Sequence, residues 1–462
     1  MSKDRAAKSA FVIMSIMILT KIIGFIRETL LAAYYGADFK MDAYIMAHSI
    51  PWSLSAIIGA SLGTVFIPMY MEHRAVEGEY EANRFAGNII SITFLFASCL
   101  SVVGIFLAPQ ILKWIAPGFK NGLMDLTVHL MQIMFPSIIF ITLSHIATGL
   151  LQSGYVFTLP ALISIPSNII IILAIVLFKG TYGIYALAWS TVIAAASQLL
   201  IQLPCMRGRH LHIFRIDFKD QSVVQLIMLL LPLMAGAALD EVNLLVDKII
   251  ASGMDVGSIS AINYSNTISA FFTSIFISPV TIVLYPAFSQ FSINKEYDEL
   301  KNSVAMSITV LILILIPVML FIIIFNNKIV SLIFKRGAFD DSAAAIISYA
   351  LKFYILGIIP SGIREILVRL FYSLKDTKTP MIVNIIAVGM NIKLNIILAK
   401  TMGVGGLGLA TSISSLFSAA ALMYFFYYNY GKVDVISVFL DVLKLFKMNL
   451  SGLVGRVNIK SR

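Results

Sequence analysis

With 59% of its 462 residues apolar, only 13% charged and a mean hydropathy of +0.91, the chain exceeds what a soluble fold of this length requires. The formal net charge of +10 comes with no nucleic-acid module, and in this composition it reads as loop bias plus attraction to anionic lipid headgroups. The short alternating segments that mark a transmembrane barrel are absent.

The expected fold class is therefore an all-α integral membrane protein. Apolar runs of about 20 residues, the length a bilayer demands, number about twelve. They centre near residues 22, 57, 97, 139, 169, 193, 236, 273, 312, 358, 390 and 417.

The first run follows Lys3, Arg5 and Lys8 and resembles the opening of a secretory signal peptide. No small-residue cleavage site follows and Lys21 interrupts the run, so a retained first helix is expected. That helix carries Lys21, Arg27 and Glu28. A charge at bilayer depth costs on the order of 3 kcal/mol on insertion scales, so it persists where it meets a polar cavity or a partner. Helical spacing puts Lys21 and Glu28 on one face, with Arg27 within about a third of a turn. Asp42 opens the second helix.

The hydrophilic segment 207–221, RGRHLHIFRIDFKDQ, divides the runs six and six. The expected organisation is an N-lobe at 1–206, a cytoplasmic linker at 207–221, a C-lobe at 222–431 and an amphipathic helix with a basic cytoplasmic tail at 432–462. A truncated further span is the alternative for that last segment. Loop cations such as Arg74, Arg84, Lys219, Lys301 and Lys378 outnumber those of the opposite side, which places both termini in the cytoplasm. Sliding the chain by about 220 residues lays SGYVFTLP, ending at Pro160, over SLKDTKTP, ending at Pro380. FIPMY around Pro68 then nearly matches LYPAF around Pro286. An even number of helices per half makes these parallel repeats, two six-helix lobes related by a pseudo-two-fold axis around a central cavity.

Further charges fall inside the second half. The seventh helix carries Asp240, Glu241, Asp247 and Lys248, the tenth Arg364, Glu365 and Arg369, and the eleventh Lys393. The plain alternative is internal pairing, for example Glu365 with Arg369 at four-residue spacing, or snorkelling of Lys248 and Asp42 to the interface. Spread over both halves, the charges favour a polar cavity. A basic cavity selects an anion, and phosphates and diphosphates are the abundant anions of lipids.

Other chemistry is thinly represented. The sequence lacks a nucleotide-binding phosphate loop, leaving an ion gradient, the membrane potential or the substrate's own gradient as the energy source. His129 and His145 lack metal-ligand spacing, and His210 with His212 sits in a basic loop. Cys99 and Cys205 lie far apart and read as packing residues. Asp340 and Asp341 could serve a membrane transferase, but AFDDSAA is equally a solvated turn or a helix start.

The segment KIIGFIRETLLAAYYGADFKMDAY resembles the first-helix signature of the MviN/MurJ lipid II flippases, and IAPGF, FYSLKDTKTP and GVGGLGLATSIS are similar to that family too. The resemblance implies membership of the multidrug/oligosaccharidyl-lipid/polysaccharide exporter superfamily. It also implies alternating access and movement of the undecaprenyl-diphosphate-linked peptidoglycan precursor to the outer leaflet. By this resemblance Arg27 matches the essential first-helix arginine, with Glu28, Asp42 and Lys21 at neighbouring family positions. Lys248, Arg364 and Arg369 complete the expected substrate-binding set, because Thr267 stands where members carry arginine and PWSLSAIIGASLG lacks their second-helix cations. A sodium site would comprise Asp247, Asn391, Asn395, the backbone near Leu407 and Thr411, with Asn395 replacing an acidic ligand. Members reach fourteen helices, the last two forming a lipid-tail groove that the twelve counted here do not supply.

The resemblance thus implies a transporter of the bacterial cytoplasmic membrane that needs no cofactor and couples to sodium or to the membrane potential. Its partners would be a lipid-linked glycan diphosphate, membrane lipids and proteins of cell-wall synthesis or division, with the chain acting as a monomer. An exporter of another polyprenyl-linked polysaccharide unit is the alternative, and a membrane transferase or a scaffold is more remote.

Overall fold

The computed structural model describes residues 3–207, 211 and 216–440, and the regular structure among these is all helical. The first helix is Lys3–Tyr35. Among the described residues ten further helices are long and apolar enough to cross a membrane, or eleven counting one bent pair. In chain order, the second to ninth spans are Phe39–Val76, Glu79–Ile115, Gly122–Ser153, Thr158–Tyr182, Ile184–Met206, Gln221–Ala251, Ser258–Asn294 and Tyr297–Ile324. The tenth is the pair Asp341–Leu356 and Ile358–Ser373, bent by 41°, and the last two are Lys378–Met402 and Val404–Tyr430. Each contains one of the centres expected from the sequence.

The local reasons are legible. Asp38 caps the second span by accepting from the Met41 amide at 3.0 Å, and Asp220 caps the seventh by accepting from the Ser222 amide at 2.9 Å. Inside the second span Ser49, Ser55 and Ser61 return their hydroxyls to the carbonyls of Ile45, Pro51 and Ile57, four residues back. In a medium without water, that satisfies groups which would otherwise be costly to embed.

The duplication seen in the letters recurs in the backbone. Tyr155 and Lys375, 220 positions apart, both adopt left-handed conformations at φ 60° and φ 62°. The amide of Val156 bonds the Leu151 carbonyl at 2.9 Å, and the amide of Asp376 bonds the Phe371 carbonyl at 2.9 Å. Gly183 and Gly403, again 220 apart, end their helices at φ 57°, ψ −135° and φ 54°, ψ −134°. Matched turns at a constant offset are what two copies of one helical unit would leave behind.

The described residues form two compact units. One comprises the chain up to Thr267 together with Asn327–Tyr349, and the other Ile268–Asn326 with the residues from Ala350 onward. In the first, Ile58, Leu62, Phe66 and Tyr70 of the second span pack with Phe85 and Ile89 of the third, Leu150 of the fourth and Leu226 of the seventh. The Tyr70 hydroxyl donates to Asn83 at 2.8 Å, so the largest buried ring is also satisfied. In the second unit Leu311, Leu315, Leu367, Phe371 and Phe426 are buried.

Cys99 and Cys205 are free and exposed rather than packed in a core. Of the segment beyond Lys432, residues 435–440 are helical, and Asp434 accepts from the Ser437 amide at 3.1 Å. The rest of the expected amphipathic helix, at 441–462, lies outside the described residues, as do His210 and His212.

Candidate functional site

The first unit gathers most of the expected charges. Arg27 and Glu28 form an ion pair through one guanidinium nitrogen and one carboxylate oxygen. Arg27 Nε and Glu28 Oε2 are buried with no hydrogen-bond partner. The pair therefore holds its fork in place with a donor and an acceptor still to be used, an unusual condition away from water. Lys21, on the same helix, is exposed.

Facing this helix, the second span carries Tyr44, His48 and Trp52 at four-residue intervals. Their rings stack with centroids 5.9 Å and 5.6 Å apart. Tyr44 shares a 2.9 Å hydrogen bond with Thr191 of the sixth span. His48 lies within electrostatic reach of both Arg27 of the first span and Lys248 of the seventh.

The second and seventh spans are stitched by polar side chains. Lys248 donates to Ser49 Oγ at 2.7 Å, and Ser53 donates to Glu241 Oε2 at 2.6 Å. An ammonium held this way keeps two of its three donors for another acceptor. Asp247, buried beside Lys248, belongs to the same turn. The snorkelling alternative for Lys248 does not describe this geometry, because the ammonium is anchored to a buried serine of a facing helix.

Asp42 is buried and serves a different purpose. Its carboxylate accepts from the amides of Gly257 at 2.7 Å and Ser260 at 2.8 Å, and from the Ser260 hydroxyl at 2.6 Å. These are the orphan donors at the start of the eighth span, where a negative charge is also favoured by the helix dipole. Expected as a substrate group, Asp42 is instead occupied in tying the start of the second span to the start of the eighth. The backbones are in close contact here. Gly257, at φ 89°, would carry a Cβ only 2.5 Å from the Ala37 carbonyl oxygen, and Gly337, at φ 64°, one 2.3 Å from that of Ala33. The Ala338 amide bonds the same Ala33 carbonyl at 2.8 Å, and Tyr264 donates to the Gly36 carbonyl at 3.2 Å. Tyr264 also packs on Phe334 and Phe339, making this end a closely packed junction.

Thr267 returns its hydroxyl to the Asn263 carbonyl at 2.8 Å. It offers no charge where the resemblance places an arginine. Asp340 caps the helix that begins at Asp341 through the Ala343 amide at 2.8 Å, and Asp341 pairs with Lys335 at 2.5 Å. These carboxylates have structural partners and do not form a catalytic pair.

In the second unit Arg364 donates to Asn384 at 3.1 Å and stands 4.0 Å from Glu365. Arg369 is exposed, and the expected Glu365 to Arg369 bridge is replaced by this contact of neighbours. Asn395 donates to Asn391 Oδ1 at 2.7 Å, Asn391 to Thr411 Oγ1 at 3.4 Å, and Thr411 to the Leu407 carbonyl at 3.1 Å. Four neutral oxygen-bearing groups of the expected sodium site thus converge. Such a set suits a hard monovalent cation by donor type but brings no negative charge of its own. Among the described residues no three His, Cys, Asp or Glu side chains cluster as a metal site.

The family model for the lipid II flippase MurJ matches residues 31–456. The chain belongs to the MurJ family. It is 28% identical over 418 residues to a probable lipid II flippase MurJ of Buchnera aphidicola subsp. Baizongia pistaciae, covering 88% of this chain and 81% of that protein. A solved lipid II flippase MurJ in an inward closed conformation superposes with a TM-score of 0.82 at 26% identity, covering 96% of this chain and 93% of the other. An inward-facing multidrug resistance MATE transporter of the MOP superfamily shares the fold, with a TM-score of 0.73 at 12% identity over 93% and 98% of the two chains. Within this MurJ framework Lys248, anchored to Ser49, is the cation that sequence reasoning placed correctly on the seventh span without finding its partner. Ser53 and Ser260 carried no signal, because a lone serine in an apolar run reads as packing.

Proposed function

We propose that this protein is a lipid II flippase, a transporter and not an enzyme, that carries the diphosphate-linked precursor from the inner to the outer leaflet of the bacterial cytoplasmic membrane. The observation that carries the reading is a pair of membrane-embedded cations, Arg27 with its buried Nε unpartnered and Lys248 anchored on Ser49, in a chain of the MurJ family. A guanidinium fork and an ammonium with free donors match the two phosphates of a diphosphate, one by planar double hydrogen bonding and the other as a point charge.

In this proposal Glu28 holds Arg27, while Ser49 aims the Lys248 ammonium. The junction made by Asp42, Gly257 and Ser260 closes one end of the path, and its opening would release the cargo. With both termini in the cytoplasm, that junction lies on the outer side. Lys21 guides the headgroup at the entry of the path. The chain works as a monomer alongside proteins of cell-wall synthesis or division.

Coupling is to the membrane potential, which acts on the charged cargo, with a weak sodium site at Asp247, Asn391, Asn395, Leu407 and Thr411 adding to it. An exporter of another polyprenyl-linked unit is less favoured, because the matching family model and the curated relatives are those of the lipid II flippase MurJ. Binding of purified protein to lipid II, compared with undecaprenyl diphosphates bearing other sugars, tests the reading. Preference for lipid II supports it, and equal or stronger binding of another glycan carrier refutes it.

A further inference from the structure

Span seven has two characters along one face. Ile227, Met234, Glu241 and Lys248 recur every seven residues, two helical turns, and therefore share a stripe. Its later half meets the second span through Ser53 and Ser49. Its earlier half lines a cavity of about 490 Å³ between the second, third and seventh spans. Ile58, Leu62, Ile89, Phe96, Leu230 and Met234 line it, and Thr93 is the one hydroxyl among its walls. The rim at Phe96 and Leu231 is exposed at 52% and 62%, so in a membrane the slot opens to hydrocarbon. Phe218 closes the linker end, fixed there because Asn88 exchanges two hydrogen bonds with the Asp217 backbone at 3.0 Å and 2.9 Å.

We infer that this slot takes the isoprenoid chain of the transported lipid while its diphosphate lies at the polar end of the same seam. The inference rests on the flippase reading above. At a rise of 1.5 Å per residue, Met234 is about 10 Å from Glu241 and about 21 Å from Lys248 along the helix, the scale of an extended head-to-tail junction. Hydrocarbon gains little by leaving lipid for protein, so tail length alone does not draw it in. The gain comes from linkage: once the head is held, the attached chain reaches the slot intramolecularly at high effective concentration. A continuous polar-then-apolar seam selects an amphiphile of this shape, whereas a bulk phospholipid would match only the apolar half.

Cys99 lines the slot and Cys205 does not, which supplies a means of blocking it. The test uses the full chain with Cys205→Ser in phosphatidylglycerol vesicles, with and without a bulky maleimide on Cys99. Binding of a C55 polyprenyl diphosphate is compared with that of a C15 diphosphate. Blocking should cut the long-to-short binding ratio about tenfold and leave C15 binding unchanged. A Cys99→Trp variant should do the same without chemical modification. A diazirine at the isoprene end of the C55 chain should label peptides within 58–62, 89–99 and 223–234. An unchanged ratio, or equal labelling of those peptides by a diazirine phospholipid that excess C55 diphosphate does not displace, would overturn the slot while leaving the flippase reading intact. Binding of neither diphosphate by the unblocked protein would overturn both.

Discussion

Asp42, at the start of the second span, holds both the amide and the hydroxyl of Ser260, at 2.8 Å and 2.6 Å, across 218 residues of sequence. A helix capped by a carboxylate from another helix is a joint, and whatever breaks the cap frees both ends. Replacing Asp42 with Ala leaves the buried Gly257 and Ser260 amides without that acceptor. About 3 kcal/mol of junction stability should be lost. Hydrogen exchange at residues 257–264 should accelerate strongly, and unchanged protection would show that the cap does not hold the joint.

The glycines of that junction should differ from glycines elsewhere. Gly337 has positive φ and the Ala33 carbonyl oxygen 2.3 Å from a would-be Cβ, whereas Gly78 has positive φ and open space. Gly337→Ala should therefore lower the melting temperature in detergent clearly more than Gly78→Ala, which carries only the conformational penalty of its φ 93°, ψ 175° backbone, on the order of 1–3 kcal/mol. Equal effects would mean that the close approach is not a constraint in solution.

Lys248 is the cation that spans seven and two present together. Lys248→Met keeps the stem and removes the charge, and should weaken binding of an undecaprenyl diphosphate about tenfold, the worth of one charge-assisted hydrogen bond. Ser49→Ala should have a smaller effect in the same direction, since it removes the anchor and leaves the ammonium. Isothermal titration of the two variants orders them, and a larger loss for Ser49→Ala would reverse the assignment.

At the expected sodium site Asn395 brings an amide that donates to Asn391. Asn395→Asp adds the missing negative charge, so transport by that variant should gain a sodium dependence larger than that of the wild type. Rates measured in sodium and in potassium buffers check this, and an unaltered ratio would dissociate these residues from cation binding.

Much of this was readable from the letters, for reasons that also explain what was not. Every span centre coincided with a helix because twenty apolar residues have one stable form in lipid. The 220-residue slide survived as the paired turns at Tyr155 and Lys375, where backbone conformation is set locally. Arg27 and Lys248 stood out as charges in apolar runs. Their settings did not, because Ser49 is 199 residues from Lys248 and Ser260 is 218 from Asp42, distances over which no periodicity speaks. Asp42 was visible as a charge and invisible as a cap for that reason. Arg369, equally visible, is an exposed side chain.

The central claim is that Arg27, with a buried Nε free of protein partners, grips the diphosphate of lipid II. Its most direct test is the rate at which the purified chain, reconstituted in vesicles, moves fluorescent lipid II between leaflets, for wild type, Arg27→Lys and Arg27→Ala. The account predicts transport by the wild type, a partial rate for Arg27→Lys because charge remains without the planar fork, and at least about a tenfold loss for Arg27→Ala. A correctly folded Arg27→Ala protein that moves lipid II at the wild-type rate would contradict it.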